Sequence, residues 1–391
     1  MRTNARKIIQ IFCLIAIILF LTLFLKEFYN QWPLSKMGKD FTAYWASTHL
    51  LIDGQNPYQA DQIFALQTSV GSTDKSPTVM YNPPWVFTYI IPFTLENYLL
   101  GKFLWLLFLF ICMLICSIWL WQLYGGTDRD RNWGLLILFT YVPLYYTFAR
   151  GQIVPLILLG IVGFLHFERR KKWFLAGVFV CLLGIKPQDS YLFFIALLFW
   201  IVYKRRWGIL LGAGCATFFI TAIPLFYNHD IFFQYYTEIL AHSFQYDWQT
   251  PTLGYWLRSI WGKEKLFLQF FPTIVGTVWF FYYWHRNYAK WVWAEQVPLL
   301  LFVSLMTTFY VWSNDYLLLI VAIIQASVWL INAPLRPYSE FMIFLYYLIS
   351  LMAWVTVFSA RSEKWIIWMV PALLINYLLI RNFYIKAKVK V

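Results

Sequence analysis

Long apolar runs recur from one end of the chain to the other, separated by short polar or basic stretches. A helix of about 20 apolar residues crosses the hydrocarbon core of a bilayer, so each run near that length predicts a membrane span. The predicted spans cover residues 8–26, 97–123, 132–149, 152–168, 173–186, 188–203, 207–227, 266–284, 292–312, 314–332, 339–358 and 364–381. This pattern predicts an all-α polytopic membrane protein, with about twelve transmembrane helices in a single domain that covers residues 1–391.

Two longer segments without a spanning run interrupt this series, at residues 27–96 and 228–264. Within the first, residues 84–95 (PWVFTYIIPFTL) are apolar but too short to span, and they contain Pro84 and Pro92. If this stretch were a span, every later basic loop would lie on the opposite side of the membrane. It therefore predicts an interfacial or re-entrant helix.

Basic residues in the short loops determine the predicted orientation, because cytoplasmic loops carry an excess of Lys and Arg. Such clusters lie within residues 2–7, 169–172, 204–206, 285–290 and 381–390. They predict that both termini lie in the cytoplasm and that the two large segments lie outside. The short loops favour a plasma membrane, with the endoplasmic reticulum as the alternative.

The composition excludes several other classes of protein. Hydrophobic residues make up 61% of the chain and charged residues only 13%, whereas a soluble domain carries about twice that share of charge. The net charge of +13 does not predict nucleic-acid binding, because topology accounts for the basic loops. The five cysteines fall inside apolar runs and predict neither disulfides nor a metal site.

The triplet Asp128-Arg129-Asp130 lies in a short loop without a nucleotide-binding domain, which predicts a solvated loop.

Asp40 stands at the start of an apolar and aromatic stretch, KDFTAYWASTHLLI, in the first outer segment. In a helix that starts here, Phe41 and Trp45 share one face, and Asp40 and Tyr44 share another. This pattern predicts a helix that lies at the membrane interface. Two interpretations of Asp40 stay open: its carboxylate caps the first turn, or it acts as a catalytic base.

Two cations lie at predicted outer junctions, where the positive-inside bias disfavours them. Arg150 belongs to the stretch ARGQIVP, which also holds Gln152, and Lys186 belongs to GIKPQDS. Either these side chains snorkel to the interface, or they form an outward-facing site for an anion such as a lipid phosphate.

Three further residues on the predicted outer side carry weaker signals. Tyr58 ends GQNPY, which is a turn signal. His242 lies in the second outer segment, and a lone histidine is usually structural. Asp315 lies in WSND at another outer junction, where it either helps to bind an acceptor or caps the span that follows.

These stretches, in their order along the chain, resemble a known family. AYWAS and LLIDGQNPY follow the first span, and then come YNPPW, ARGQ and IKPQ. The series resembles the GT-C glycosyltransferases, and more narrowly glycosyltransferase family 87, which are polyprenyl-phosphate-dependent, mannosyltransferase-like membrane proteins. The matching stretches lie in about the first half of the chain. Some members carry a histidine near a later outer junction, where this chain reads WSNDY.

The resemblance implies a GT-C-like bundle whose site faces outward and whose sugar donor is a polyprenyl phosphate. The first-loop aspartate of the family is its general base, and that role falls here on Asp40. The lysine of the family's Lys-Pro motif corresponds to Lys186, and its Gly-Gln pair corresponds to Gly151 and Gln152. In this scheme Lys186 and Arg150 hold the donor phosphate, and a single displacement inverts the anomeric centre.

The resemblance further implies mannose or arabinose as the transferred sugar, and a hydroxyl of a glycolipid or glycan as its acceptor. The remaining candidates for contacts with these substrates are Tyr44, Gln152, Tyr58, His242 and Asp315. The scheme requires no metal and no other cofactor, because fixed cations neutralise the phosphate. The expected partners are the donor, the acceptor and membrane lipids.

Three alternative functions remain open. A transporter or flippase of lipid-linked sugars predicts charged residues deep within spans, whereas those singled out here lie at junctions. A polymerase or ligase of lipid-linked glycans usually has its large outer loop late in the chain. A structural scaffold leaves Asp40, Arg150 and Lys186 without a role.

Overall fold

The computed structural model describes residues 38–94, 97–241, 249–332, 337–360 and 362–389, together with residue 22. These ranges are helical and contain no strand, which confirms the all-α prediction for this part of the chain. The predicted first span, residues 8–26, lies outside the described residues apart from Thr22.

The order of the helices follows the predicted series of apolar runs. The helices up to residue 204 are α1 (Lys39–Ile52), α2 (Ala60–Ser69), α3 (Phe87–Ile90), α4 (Tyr98–Leu123), α5 (Arg131–Phe139), α6 (Val142–Arg150), α7 (Val154–Arg169), α8 (Trp173–Val180) and α9 (Tyr191–Lys204). The later helices are α10 (Trp207–Tyr227), α11 (Ile231–Tyr235), α12 (Leu253–Trp261), α13 (Phe267–Asn287), α14 (Trp293–Thr307), α15 (Ile320–Asn332), α16 (Pro337–Ala360) and α17 (Met369–Val389). Short 3-10 or π turns adjoin them at Pro84–Val86, Ile91–Phe93, Asp128–Asp130, Cys181–Ile185, Pro187–Ser190, Tyr236–Leu240, Tyr288–Lys290, Asp315–Leu319 and Glu363–Trp368.

Several of these helices are suited to a membrane. Within the described ranges, five are long and apolar enough to cross one: Tyr98–Leu123, Trp207–Tyr227, Asp315–Asn332, Ser339–Thr356 and Glu363–Lys386. Three shorter apolar helices cover Pro84–Phe93, Trp173–Ile185 and Trp293–Thr307. The chain is therefore a membrane protein with several apolar helices, and the count of twelve spans stays a prediction.

One predicted span is wrong as a single helix. Residues 132–149 form two helices, α5 and α6, which are separated at Thr140 and Tyr141. Pro143 lies in the first turn of α6, where its missing N–H removes no helical hydrogen bond. A proline at this position favours a new helix start, so the apolar run continues while the helix axis is interrupted.

Helix α1 differs from the half-buried interfacial helix that its sequence predicts. Nine of its fourteen residues are buried, and they include members of both predicted faces, Phe41 and Tyr44. The cause is that α1 packs against α2, α3, α4 and α6, so that protein covers it from several sides. Phe41, for example, stacks on Trp105 of α4 with ring centroids 6.2 Å apart.

The helix bundle has two ends, which carry different residues. Helix α7 runs from Val154, which follows the predicted site residues Arg150 and Gln152, to Arg169. At Arg169, Nη1 donates to the carbonyl oxygen of Leu123 at 2.7 Å. We call the end at Arg150 the near end and the end at Arg169 the far end.

A cavity of about 580 Å³ lies between α5, α15, α16 and α17, and residues of the far-end loop, Arg129 and Asp130, form part of its lining. The rest of its wall is mainly apolar, with Ile137, Phe302, Ile323, Ala326, Leu330 and Leu373 among the lining residues.

Candidate active site

The start of α1 is fastened to the end of α6. The N–H of Gly38 donates to the carbonyl oxygen of Ala149 at 2.7 Å, and Gly38 occupies the N-cap position of α1. Its φ of 71° is left-handed, a conformation that glycine adopts without strain. Asp40 therefore sits in the first turn rather than at the cap, and its carboxylate accepts a hydrogen bond from Nε2 of Gln152.

A second glycine makes this approach close. Gly151 has a φ of 69°, and a Cβ there would lie 3.2 Å from the Cα of Gly38. The carbonyl oxygen of Gly151 accepts a 2.8 Å hydrogen bond from Nε1 of Trp105, which is fully buried. The two backbones therefore meet at their glycines, and Gln152 is brought beside Asp40.

Gln152 also joins Asp40 to the predicted phosphate-binding lysine. Its Oε1 accepts from Nζ of Lys186 at 3.4 Å, and the same Nζ lies 2.7 Å from Oδ1 of Asp315. Lys186 is the single residue between two 3-10 turns. Two residues before it, the carbonyl oxygen of Gly184 accepts a hydrogen bond from Nε1 of Trp85. The YNPPW stretch thus helps to position the loop that carries the lysine.

Asp315 is fully buried and uses both of its carboxylate oxygens. Oδ1 accepts from Lys186 and from Nδ2 of Asn314 at 2.8 Å, and Oδ2 accepts from the backbone N–H of Trp312 at 2.8 Å. The carboxylate thus bonds backward to the loop and to the lysine. These bonds do not support the interpretation that it caps the following helix.

Arg150 forms the second ion pair of the site. Its Nη2 donates to Oε1 of Glu363, and its guanidinium carbon lies 6.0 Å from the centroid of the Trp312 ring. Oε2 of Glu363 accepts from the N–H of Ser313 at 3.1 Å and from its hydroxyl at 2.6 Å. The Arg150 side chain is 39% exposed, so it can reach a ligand, whereas Glu363 is largely enclosed.

Sequence reasoning missed two acidic residues near these cations. Glu363 lies 213 positions after Arg150, in a stretch that carries no motif. Asp189, three residues after Lys186, is fully buried, and neither of its carboxylate oxygens has a hydrogen-bond partner among the described residues. Its signal was an acid within GIKPQDS, immediately before an apolar run.

Of the remaining predicted residues, two are buried and one lies outside the described part of the chain. Tyr44 lies one turn after Asp40 but is buried, with its ring 6.0 Å from that of Trp105. Tyr58 is also buried, and its hydroxyl donates to the carbonyl oxygen of Asn82 at 3.3 Å, which joins GQNPY to YNPPW. The predicted contact at His242 lies outside the described residues.

The surroundings of Asp40 change its acidity. Burial raises the pKa of its carboxyl above the ordinary value, and the negative charge of Glu363 acts in the same direction. Arg150, the hydrogen bond from Gln152, and Lys186 oppose this rise. A carboxylate with a raised pKa is a stronger base at neutral pH, so Asp40 is suited to accept a proton from a hydroxyl.

The near end thus combines a partly buried base with two cations, an arrangement that can deprotonate a nucleophile and stabilise an anionic leaving group. In the part of the chain that the structure describes, no three His, Cys, Asp or Glu side chains are grouped closely enough to hold a metal ion.

Comparison with known proteins gives one match. The family model of glycosyltransferase family 87 matches residues 80–356, a range that includes Lys186 and Asp315 but neither Asp40 nor Glu363. No curated protein and no solved structure matches the chain. The matched range exceeds two thirds of the 391 residues. The chain therefore belongs to glycosyltransferase family 87.

Proposed function

We propose that this protein transfers a sugar from a polyprenyl-phosphate donor to a hydroxyl of a glycolipid or glycan, with Asp40 as general base. The observation that carries the proposal is the hydrogen-bonded series from Asp40 through Gln152 to Lys186. One amide side chain contacts both the base and a phosphate-binding cation. A base for the acceptor hydroxyl and a cation for the leaving phosphate are thereby fixed relative to each other.

The cations keep hydrogen-bonding capacity for a phosphate. A guanidinium has five N–H donors, and the Arg150–Glu363 bond uses one of them. Lys186 is held by Asp315 on one side, which orients its ammonium group while the buried pair keeps it charged. Both side chains lie close enough to Asp40 for their charges to act on its carboxyl.

In the proposed reaction, the acceptor oxygen attacks the anomeric carbon while Asp40 takes its proton. The bond between that carbon and the phosphate oxygen breaks, and the phosphate leaves with the electron pair. Arg150 and Lys186 stabilise the negative charge that develops on the leaving phosphate. A single displacement of this kind inverts the anomeric centre. A retained configuration in the product, determined by NMR, would contradict this mechanism.

We further propose that the site faces the outer side of a plasma membrane and that both termini are cytoplasmic. The basic loops favour this orientation, because the cluster Arg169–Lys172 lies at the far end, opposite Asp40. Mannose and arabinose are the proposed sugars. The donor's hydrocarbon tail would remain in the lipid while its phosphate reaches the near end.

The test uses purified protein in lipid nanodiscs with radiolabelled polyprenyl-phosphate mannose and arabinose and a lipid extract as acceptor. Wild type is compared with Asp40→Asn and with Asp53→Asn, which alters an exposed aspartate just after the same helix. We expect transfer by wild type, a loss of about 10²- to 10⁴-fold in Asp40→Asn, and a rate within about twofold in Asp53→Asn. Absence of transfer by wild type, with flux of a lipid-linked sugar across vesicles, would instead support the transporter.

A further inference from the structure

Glu363 connects three parts of the near end through one carboxylate. Oε1 binds Arg150 at the end of α6, and Oε2 binds both the N–H and the hydroxyl of Ser313 in the loop before Asp315. Its own segment is fixed in turn. The carbonyl oxygen of Lys364 accepts a 3.2 Å hydrogen bond from Nε1 of Trp256 in α12.

The charge of Arg150 acts on two carboxylates. Glu363 pairs with it directly, and Asp40 is close enough that the guanidinium lowers the pKa of its carboxyl. Because the Arg150 side chain is long and 39% exposed, it has many rotamers available. Without Glu363, Arg150 would be free to turn toward Asp40, the proposed base, whose carboxyl already feels its charge.

We propose that Glu363 is a positioning residue, which holds the Arg150 guanidinium toward the donor phosphate and away from the Asp40 carboxylate. This inference rests on the proposed function, because it assigns Arg150 to the donor phosphate. Glu363 touches neither substrate in this scheme. It acts by removing one cationic partner from the base and by limiting the orientations of Arg150.

Two measurable effects follow from Glu363→Gln, which keeps the shape of the side chain and removes its charge. Arg150 is held less firmly, so a phosphate-bearing lipid binds more weakly. Asp40 also loses a negative neighbour and gains a closer cation, and both changes lower the pKa of its carboxyl. Since transfer needs the deprotonated base, the acidic limb of the pH–rate profile moves to lower pH. A side chain that only stabilises the fold would not move this limb.

The first measurement is the binding of a polyprenyl phosphate without sugar, followed by tryptophan fluorescence in nanodiscs. The proteins are wild type, Glu363→Gln, and the control Glu264→Gln, which alters an exposed glutamate on the loop after α12. We expect about tenfold weaker binding by Glu363→Gln, the size of one lost charge-assisted contact, and no change in the control. The pH dependence of kcat/KM is then measured on the same proteins.

Ser313→Ala provides a second, milder variant. It removes one 2.6 Å bond to Glu363 and leaves every charge in place, so we expect smaller effects in the same directions. Unchanged phosphate binding in both variants, or an acidic limb that stays in place in Glu363→Gln, would overturn the proposal. If wild type transfers no sugar, the proposed function fails, whereas the binding measurement still tests whether Glu363 positions Arg150.

Discussion

The two ends of the bundle differ in their charged residues and in their cavities. At the near end, Asp40, Lys186 and Asp315 are joined through Gln152 in one series of hydrogen bonds, and Arg150 and Glu363 form a neighbouring ion pair. Toward the far end, a cavity of about 580 Å³ is lined mainly by apolar side chains. The far end therefore has a cavity with a mainly apolar lining, and the near end has the groups that can perform chemistry.

Buried charge is a better indication of a reactive site than an apolar cavity is. Taking a charge out of water costs several kcal/mol, and an ion pair regains this only with good geometry. A membrane protein that buries Lys186, Asp189 and Asp315 at one end therefore has a cost there that packing does not explain. An apolar cavity carries no such cost. The comparison makes the near end the place where substitutions should change activity most.

Apart from Asp40, the largest effect is expected for Lys186→Met, which removes the charge but keeps an unbranched side chain. Transfer should fall by about 10²- to 10³-fold, because the leaving phosphate loses a fixed cation. Asp315 is then buried without its partner, which costs about 3–5 kcal/mol of stability. Steady-state transfer and thermal unfolding are measured together. The control Lys265→Met removes an exposed lysine.

The double variant Lys186→Met/Asp315→Leu separates stability from chemistry. Removing both charges should restore much of the melting temperature without restoring transfer. A rate within about threefold of wild type in either variant would contradict the role of Lys186 at the phosphate.

The next effect concerns pH. The proposed base must be deprotonated, so the rate rises as pH increases through the pKa of Asp40, and it falls about tenfold per pH unit below that value. Because burial raises this pKa, the acidic limb should have its midpoint above the ordinary aspartate value of about 4. The profile of kcat/KM against pH measures this midpoint. The same limb in the residual activity of Asp40→Asn would assign it to another group.

A smaller effect is expected for Tyr58→Phe, which tests whether GQNPY belongs to the site or supports it. The change removes one 3.3 Å hydrogen bond to the carbonyl oxygen of Asn82. A bond of this kind contributes about 1 kcal/mol to stability, so transfer should stay within about threefold. Loss of transfer by more than tenfold, with an unchanged melting temperature, would place Tyr58 among the substrate contacts.

The smallest effect is expected at the far end. Ala326→Leu places a larger apolar side chain against the cavity, away from the near-end charges. Filling empty apolar space changes stability by about 1 kcal/mol and should leave transfer within about twofold. A loss of transfer without unfolding would show that the cavity takes part in the reaction, and the contrast between the two ends would no longer hold.

The sequence predicts the uninterrupted helices well. The spans predicted at residues 97–123 and 207–227 correspond to Tyr98–Leu123 and Trp207–Tyr227, because long apolar runs without a break specify both type and length. Residues 132–149 were predicted as one span because a hydropathy pattern records composition but not the direction of the helix axis. The separation of α5 from α6 lies at Thr140 and Tyr141, just before Pro143 in the first turn of α6.

Site residues within a local motif were likewise predictable, whereas a residue recognised only through a distant contact was not. Asp40, Gln152 and Lys186 each stood in a short stretch with an unusual charge or a recognisable motif, and the structure brings the three together. Glu363 stood in none, and its role depends on a contact with a residue 213 positions away. A partner of that kind becomes visible only when the chain is folded, because nothing in its local sequence distinguishes it from an ordinary polar residue at a helix start.

The glycine pair at the near end restricts how this protein can diverge. Gly38 and Gly151 both have left-handed φ angles, and a Cβ at Gly151 would make a tight contact of 3.2 Å with the Cα of Gly38. A substitution at either position would strain a left-handed backbone next to Asp40 or Gln152, and one at Gly151 would also press against the backbone of Gly38. Both positions should therefore remain glycine. A related enzyme with a new sugar preference should differ in the surrounding loops and keep these two residues.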